Sequence, residues 1–221
     1  MHRVGNPSIL YFGTPVVLIG TVNENQSYNL APISSVFWLG YRCMIGIAAQ
    51  SKTTENILRT GECVLNLPSV NQAAAVDRLA LRTGSNPVPD GKKLKGYIHE
   101  ADKFKRAGMT ALEGELVKAP RAVQCPVQLE ASFVAIHPLA AETGITNIRS
   151  VTIELRIRRV HLEESILADG SSDHIDPDKW RPLIMSFQQF YGLGERLHPS
   201  SLATVSDHLY RTSDTELALR G

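Results

Sequence analysis

A chain of 221 residues, 43% hydrophobic and 20% charged, has room for one large domain or two small ones and can bury a full core without metal or disulfide staples. Its formal net charge of +1 leaves no electrostatic footprint for nucleic acid or an acidic membrane. No uninterrupted apolar span reaches transmembrane length and the first residues lack the apolar core of a signal peptide, so the cytoplasm is the expected address.

In chain order, Val16–Val22 is a buried strand rich in β-branched residues, and the polar run 23–27 turns it back through Tyr28–Ala31. Cys43–Ala49 and Cys63–Leu67 are two further strands. Between them the pattern predicts a helix over Lys52–Thr60, capped by Ser51 and ended by Gly61. A second helix is expected over Val70–Leu81, with Ala73, Val76, Leu79 and Ala80 on its apolar side. Gly84, Pro87, Pro89 and Gly91 mark Thr83–Lys95 as an exposed loop. A short helix over Ala101–Ala107 ends at Gly108, and Thr110–Val117 and Val127–Ile136 read as strands. Ser150–Val160 has the clearest alternation, with Val151, Ile153, Leu155 and Ile157 on one face. From about Ser200 the chain is polar with little apolar periodicity, so 201–221 reads as a tail with little fixed order after a domain spanning 8–200. Strands at hairpin-like spacings favour a mainly β, antiparallel barrel with short helical inserts over a doubly wound sheet.

Two segments carry chemistry. Ser51-Lys-Thr-Thr54 stands at a predicted helix start, where free backbone N–H groups, hydroxyls and a lysine suit a phosphate. By itself this segment reads better as a plain capped helix, since Ser-Lys-Thr is a common run. In Asn29-Leu-Ala-Pro-Ile-Ser-Ser35, Pro32 removes a donor and forces a bend or a sheet edge, which frees nearby backbone groups for a ligand with a polar ring edge. By itself it reads as a strand ending in a turn. The other candidates are weaker. Cys43, Cys63 and Cys125 are odd in number with no Cys-x-x-Cys pair, and read as inert buried thiols. The seven histidines show no ligand spacing, and Asp169–Asp176 does not fit a calcium loop, so no metal is expected. Gly192-Leu-Gly194 is not a dinucleotide fingerprint. The aromatic group Phe187, Phe190 and Tyr191 suits core or dimer packing, or the wall of a ring-binding pocket.

The chain resembles the flavin reductase-like family, whose fold is the FMN-binding split barrel. The resemblance rests on Tyr11-Phe-Gly-Thr-Pro-Val-Val17, Asn29–Ser35, Thr53-Thr-Glu-Asn-Ile57, Glu62-Cys-Val-Leu-Asn-Leu67, Cys125-Pro-Val-Gln-Leu-Glu130 and Ile175-Asp-Pro-Asp-Lys-Trp-Arg-Pro-Leu183, and runs in the same order over about residues 8 to 200. It implies FMN held without a covalent bond, usually at a homodimer interface. It also implies that Asn29, Ala31, Pro32, Ser34 and Ser35 line the flavin ring, that Ala48, Ala49 and Gln50 lie along it, and that Ser51, Lys52, Thr53 and Thr54 hold the phosphate. The expected activity is that of an NAD(P)H-dependent flavin oxidoreductase, with NADH or NADPH as the electron donor and a redox partner protein among the candidate onward acceptors; no nicotinamide-binding residue is legible. Because the cofactor carries the chemistry, no acid–base residue is required. The alternatives are a flavoredoxin-like electron carrier and a protein that stores or senses FMN.

Overall fold

The computed structural model describes residues 1–143 and 149–219. The strands are β1 (Phe12–Pro15), β2 (Val17–Val22), β3 (Tyr28–Ile33), β4 (Val36–Leu39), β5 (Arg42–Ala48), β6 (Glu62–Leu67), β7 (Arg82–Thr83), β8 (Ile98–His99), β9 (Ala111–Glu113), β10 (Pro120–Ala122), β11 (Val127–Pro138), β12 (Ser150–Leu162), β13 (Ile184–Ser186) and β14 (Gln189–Tyr191). The helices are α1 (Lys52–Thr60), α2 (Ala73–Asp77), α3 (Asp90–Lys93), α4 (Lys103–Ala107) and α5 (Ser213–Leu219). None of the described helices is long and apolar enough to cross a membrane.

Seven strands form the main sheet in the order β3-β2-β6-β11-β12-β5-β4, with every neighbouring pair antiparallel. Its two edge strands, β3 and β4, are separated in the chain only by Ser34 and Ser35. In a flat sheet those edges would stand six spacings apart, about 29 Å at roughly 4.8 Å each. The three Cα steps from Ile33 to Val36 cover at most about 11 Å. The sheet therefore rolls until its edges meet at the Ser34–Ser35 link. Gly46 of β5 holds that link by extending the β4–β5 ladder one step: its N–H donates to the Ser35 carbonyl at 2.7 Å. A Cβ on Gly46 would come within 3.0 Å of the Ser35 Cβ, so this approach needs a glycine. Pro32 sits on edge strand β3, where its missing donor faces no ladder partner.

The roll is filled by Val17, Ile19, Ile45, Leu65, Ile153 and Leu155. Leu18 on the other face of β2 and Val16 just before it pack a second core with Leu30, Val76, Leu79 and Phe104. That core lies under a long excursion, residues 68–126. It leaves the sheet at Leu67 and returns at Val127, and these two residues are direct cross-strand partners. A separate three-stranded sheet, β1-β13-β14, joins β2 through the Val16 N–H, which donates to the Leu183 carbonyl at 2.8 Å.

Helix α1 has the expected bounds, with Ser51 at its N-cap and Gly61 in the left-handed region at its C-cap. The helix expected over 70–81 is shorter. Ser69 and Gln72 form a capping box around a 3-10 turn at Val70–Gln72, α2 follows, and the chain then tightens into i→i−3 bonds up to Leu81. Val76 and Leu79 are three residues apart, so such a turn keeps both buried as well as an α-helix does. The strand expected over 110–117 stops at Glu113. Beyond it the buried Glu130 carboxylate accepts the N–H groups of Glu115, Leu116 and Val117 at 3.0, 2.6 and 3.0 Å and bends the chain around itself.

His161 completes this knot. Arg121 can only donate to the His161 Nδ1 at 3.1 Å, so Nε2 carries the proton toward Glu130, 2.6 Å away. Burial would raise the Glu130 pKa, but these donors outweigh it and hold the carboxyl below its ordinary value.

Strands β1, β4, β13 and β14 were not legible because each is only three or four residues long. The tail is more ordered than expected: α5 docks on the sheet through Asp214, whose carboxylate accepts from Arg42 Nε at 2.7 Å and Nη2 at 3.1 Å. The last two residues of that segment lie outside the described ones.

Candidate functional site

A cavity of about 490 Å³ opens where the seam of the rolled sheet meets the excursion and the small sheet. Its first wall is Asn29, Ala31, Pro32 and Ile33 of β3, the Ser34–Ser35 link, and Gly46, Ile47 and Ala48 of β5. The start of α1 adds Ser51, Lys52 and Thr53. Of the residues expected at the site, Ala49, Gln50 and Thr54 do not line the cavity.

The cap explains the position of Thr54. Its single hydroxyl hydrogen goes to the Ala48 carbonyl at 2.9 Å, so Ser51 Oγ donates to Thr54 Oγ1 at 2.9 Å while accepting the Thr54 N–H at 3.0 Å. Both hydroxyls are thus spent on the helix start. Thr53 Oγ1 accepts from Asn29 Nδ2 at 3.1 Å and keeps its own hydrogen to give. The N–H groups of Lys52 and Thr53 in the first turn of α1 have no acceptor among the described residues. Lys52 Nζ rests on Glu55 at 2.6 Å.

The second wall comes from the excursion, of which the sequence pattern marks only Thr83–Lys95 as an exposed loop. Val76, Leu79, Ala80 and Leu81 supply apolar surface; Arg82, Thr83, Gly84, Lys92, Tyr97 and Lys103 supply the rest. Gly84 lies against Asn29: a Cβ there would sit 2.7 Å from Asn29 Oδ1 and 3.2 Å from Lys52 Cγ. Lys92 Nζ donates to Thr83 Oγ1 at 3.1 Å and lies 5.7 Å from the Tyr97 ring centroid. Lys103 is 3% exposed and its ammonium makes no hydrogen bond or ion pair among the described residues. Burial, reinforced by the neighbouring Lys92 and opposed by Glu100, pushes the Lys103 pKa down to about 8. Burial lowers the Lys92 pKa as well.

Four cations, Lys52, Arg82, Lys92 and Lys103, therefore face the cavity, and no carboxylate lines it among the described residues. Two more buried polar atoms at the cavity lack partners: Arg82 Nε and Asn29 Oδ1, the latter on a side chain whose Nδ2 is already engaged with Thr21 and Thr53. Leaving such groups unpaired is costly unless a ligand satisfies them. The required ligand is polar, carries negative charge at one end and has enough ring or chain to fill the apolar remainder.

Sequence reasoning missed Arg82, Lys92, Tyr97 and Lys103. One signal was available: Lys103 stands four residues before the buried Ala107 on one face of α4, so a lysine occupies a core position. The third wall, Tyr11, Met185, Gln188 and Phe190, comes from the small sheet and its approach. Phe190 lines the cavity and also packs against the second core, while Phe187 packs edge-to-face on Phe12 at 5.1 Å.

The thiols lie elsewhere. All three are buried and free, and burial pushes Cys43 and Cys125 up to about 12 and raises Cys63 further. None is a thiolate at neutral pH.

A rolled antiparallel sheet with a cation-lined cavity at its seam defines a mainly β protein whose cavity suits an anionic ligand. The chain belongs to the flavin reductase like domain family, which it matches over residues 9–194. It is 34% identical over 191 residues to the protein YdfE of Bacillus subtilis (strain 168), covering 86% of this chain and 89% of that one. Its fold is similar to that of flavoredoxin of Desulfovibrio vulgaris (Miyazaki F), with a TM-score of 0.71 at 21% identity over 92% of this chain and 98% of that one. It is also similar to an FMN-binding domain of a flavin reductases-like enzyme from Shewanella baltica OS155, with a TM-score of 0.61 at 17% identity over 85% and 90% of the two chains. At these identities the structural likeness speaks for the fold.

Proposed function

We propose that the cavity binds FMN in a split-barrel domain spanning about residues 8–200, and that the protein is an NAD(P)H-dependent flavin oxidoreductase. The observation that carries this reading is the carboxylate-free cavity with four cations and with unpartnered groups on Asn29, Arg82 and Lys103. The residues fit the group. A phosphate suits the free N–H groups of Lys52 and Thr53, the Thr53 hydroxyl and the cations Lys52, Arg82, Lys92 and Lys103. The polar edge of a flavin suits Asn29 and the backbone around Pro32, Ser34 and Ser35, and its apolar body suits Ile47 and Leu79.

FMN, when bound, supplies the acceptor for hydride from a nicotinamide. The chain's own part is to orient the ring along the seam, neutralise the phosphate and exclude water with the excursion. The exposed Phe12–Phe187 pair favours a homodimer through the small sheet, and three free thiols suit the reducing cytoplasm.

The test is to mix protein, FMN and NADH or NADPH without oxygen and follow the flavin absorbance. Fast bleaching is expected. Slow bleaching with fast reoxidation by a redox protein would replace the reductase by an electron carrier. Equal affinity for FMN and riboflavin would remove the phosphate assignment. Light scattering of the FMN-loaded protein at micromolar concentration reports the dimer, and a monomer mass counts against it.

A further inference from the structure

The β13–β14 hairpin turns through Phe187 and Gln188 alone, since Ser186 and Gln189 are cross-strand partners. Both turn residues have positive φ, 44° and 65°. This turn type is relieved by Asn-Gly, and side chains such as Phe and Gln are strained in it. Strain retained at a loop tip calls for a use of the side chains that carry it. Phe187 has one, its edge-to-face contact with Phe12. Gln188 has none within the chain: its amide makes no hydrogen bond among the described residues, and the residue is exposed while lining the cavity, which puts it at the mouth.

Beside it on the same wall stand Tyr11, Met185 and Phe190. This wall bears two aromatic rings, a thioether and one free amide, and no charge, whereas the cations belong to α1 and the excursion. An anionic group is drawn to the cations. What suits the small-sheet wall is a flat, apolar ring with a neutral hydrogen-bonding substituent. A primary carboxamide matches the Gln188 amide reciprocally, donor to acceptor on both sides. We propose that Gln188 is a specificity residue that holds the carboxamide of a nicotinamide ring laid against Tyr11, Met185 and Phe190. The inference rests on the flavin oxidoreductase reading and names the site of its second ligand.

The experiment uses the FMN-loaded protein with NADH or NADPH, whichever reduces it, in anaerobic rapid mixing. Two variants are compared with the wild type, Gln188→Gly and Gln188→Asn. Gln188→Gly should raise the thermal midpoint, because glycine relaxes the positive φ. It should leave FMN affinity within about twofold and raise the half-saturating nicotinamide concentration by about tenfold, with the limiting rate nearly kept. Gln188→Asn keeps an amide on a residue that tolerates this backbone and should lose less. The spectral change that NAD+ or NADP+ causes in the oxidised flavin should weaken in the same order. Unchanged half-saturation in both variants, with an active wild type, overturns this inference alone. A wild type that neither NADH nor NADPH reduces overturns the oxidoreductase reading and this inference with it.

Discussion

Replacing Lys103 with methionine separates the cost of the cavity from its use. In the ligand-free protein, burial and Lys92 lower the Lys103 pKa from 10.5 to about 8. At 1.36 kcal/mol for each pKa step, holding that cation in the folded state below pH 8 costs about 3 kcal/mol. Methionine keeps much of the buried stem and removes the charge. At pH 7 the apo variant should therefore be more stable than wild type by up to about 3 kcal/mol, or roughly 6–12 °C in thermal midpoint for a chain of this size.

The pH dependence carries the sign. The folded state sheds the Lys103 proton near pH 8, while the unfolded chain keeps it to about 10.5. The unfolded state thus binds more protons across that window, and wild-type stability rises with pH relative to the variant. Urea unfolding of both apo proteins from pH 7 to 10.5 measures the difference. Bound FMN should remove most of it, since a phosphate beside the ammonium favours the cation. The variant should bind FMN about 10–100-fold more weakly, the loss of one charge-assisted hydrogen bond, and riboflavin nearly as well as wild type does. Parallel stability curves and an unchanged preference for FMN would refute the assignment of Lys103 to the anion.

Lys52→Ala should weaken FMN binding in a fluorescence titration by roughly 1.5 kcal/mol, the low end for a charged hydrogen bond, because Lys52 already leans on Glu55 and is partly exposed. Its reduction rate at saturating FMN should be kept, and normal binding with lost reduction would contradict a purely electrostatic role. A triple Cys43, Cys63 and Cys125→Ser variant should lose stability by burying unpaired hydroxyls, yet keep its turnover per FMN-loaded molecule. A corrected fall of tenfold or more, about 1.4 kcal/mol in the barrier, would end the flavin-only route. Glu130→Gln should cost about 3 kcal/mol in urea unfolding, because three backbone donors and His161 share that carboxylate. Since the folded Glu130 pKa lies below its ordinary value, the wild-type advantage should be full above the unfolded value and vanish as the pH falls through the folded one. An advantage that persists in strong acid would contradict this account.

Periodicity made the main sheet readable where strands were long and one-sided. Ser150–Val160 alternates cleanly, and its buried set is Val151, Ile153, Leu155 and Ile157. Local capping chemistry made α1 readable to the residue, since Ser51 and Gly61 act within one turn of themselves. The first cavity wall followed from the resemblance because Asn29–Ser35 and Ser51–Thr53 are contiguous runs. The second wall did not. Arg82, Lys92 and Lys103 stand ten and eleven positions apart and meet only because β7 pairs with β8 and α4 packs under β3. A lone lysine or arginine on a polar loop has the same local signature whether it faces water or a buried anion. The short strands β13 and β14 were hidden for a related reason: their pairing depends on a strained turn without the Asn or Gly that usually announces one.

The excursion begins and ends at residues that face each other across one ladder, Leu67 and Val127. A segment with that geometry can change length, sequence or charge while its two ends stay where the sheet needs them, and the entropic penalty of a longer loop grows only as the logarithm of its length. It carries Arg82, Lys92, Tyr97 and Lys103, whereas the cavity-lining residues of Asn29–Ile33 and Gly46–Ala48 at the seam belong to the sheet itself. The chain is thus built as a fixed frame with an exchangeable cover. Altering this one insertion should change the charge and size of ligand that the seam accepts, and a graft of it onto another chain with the same seam should carry anion preference with it.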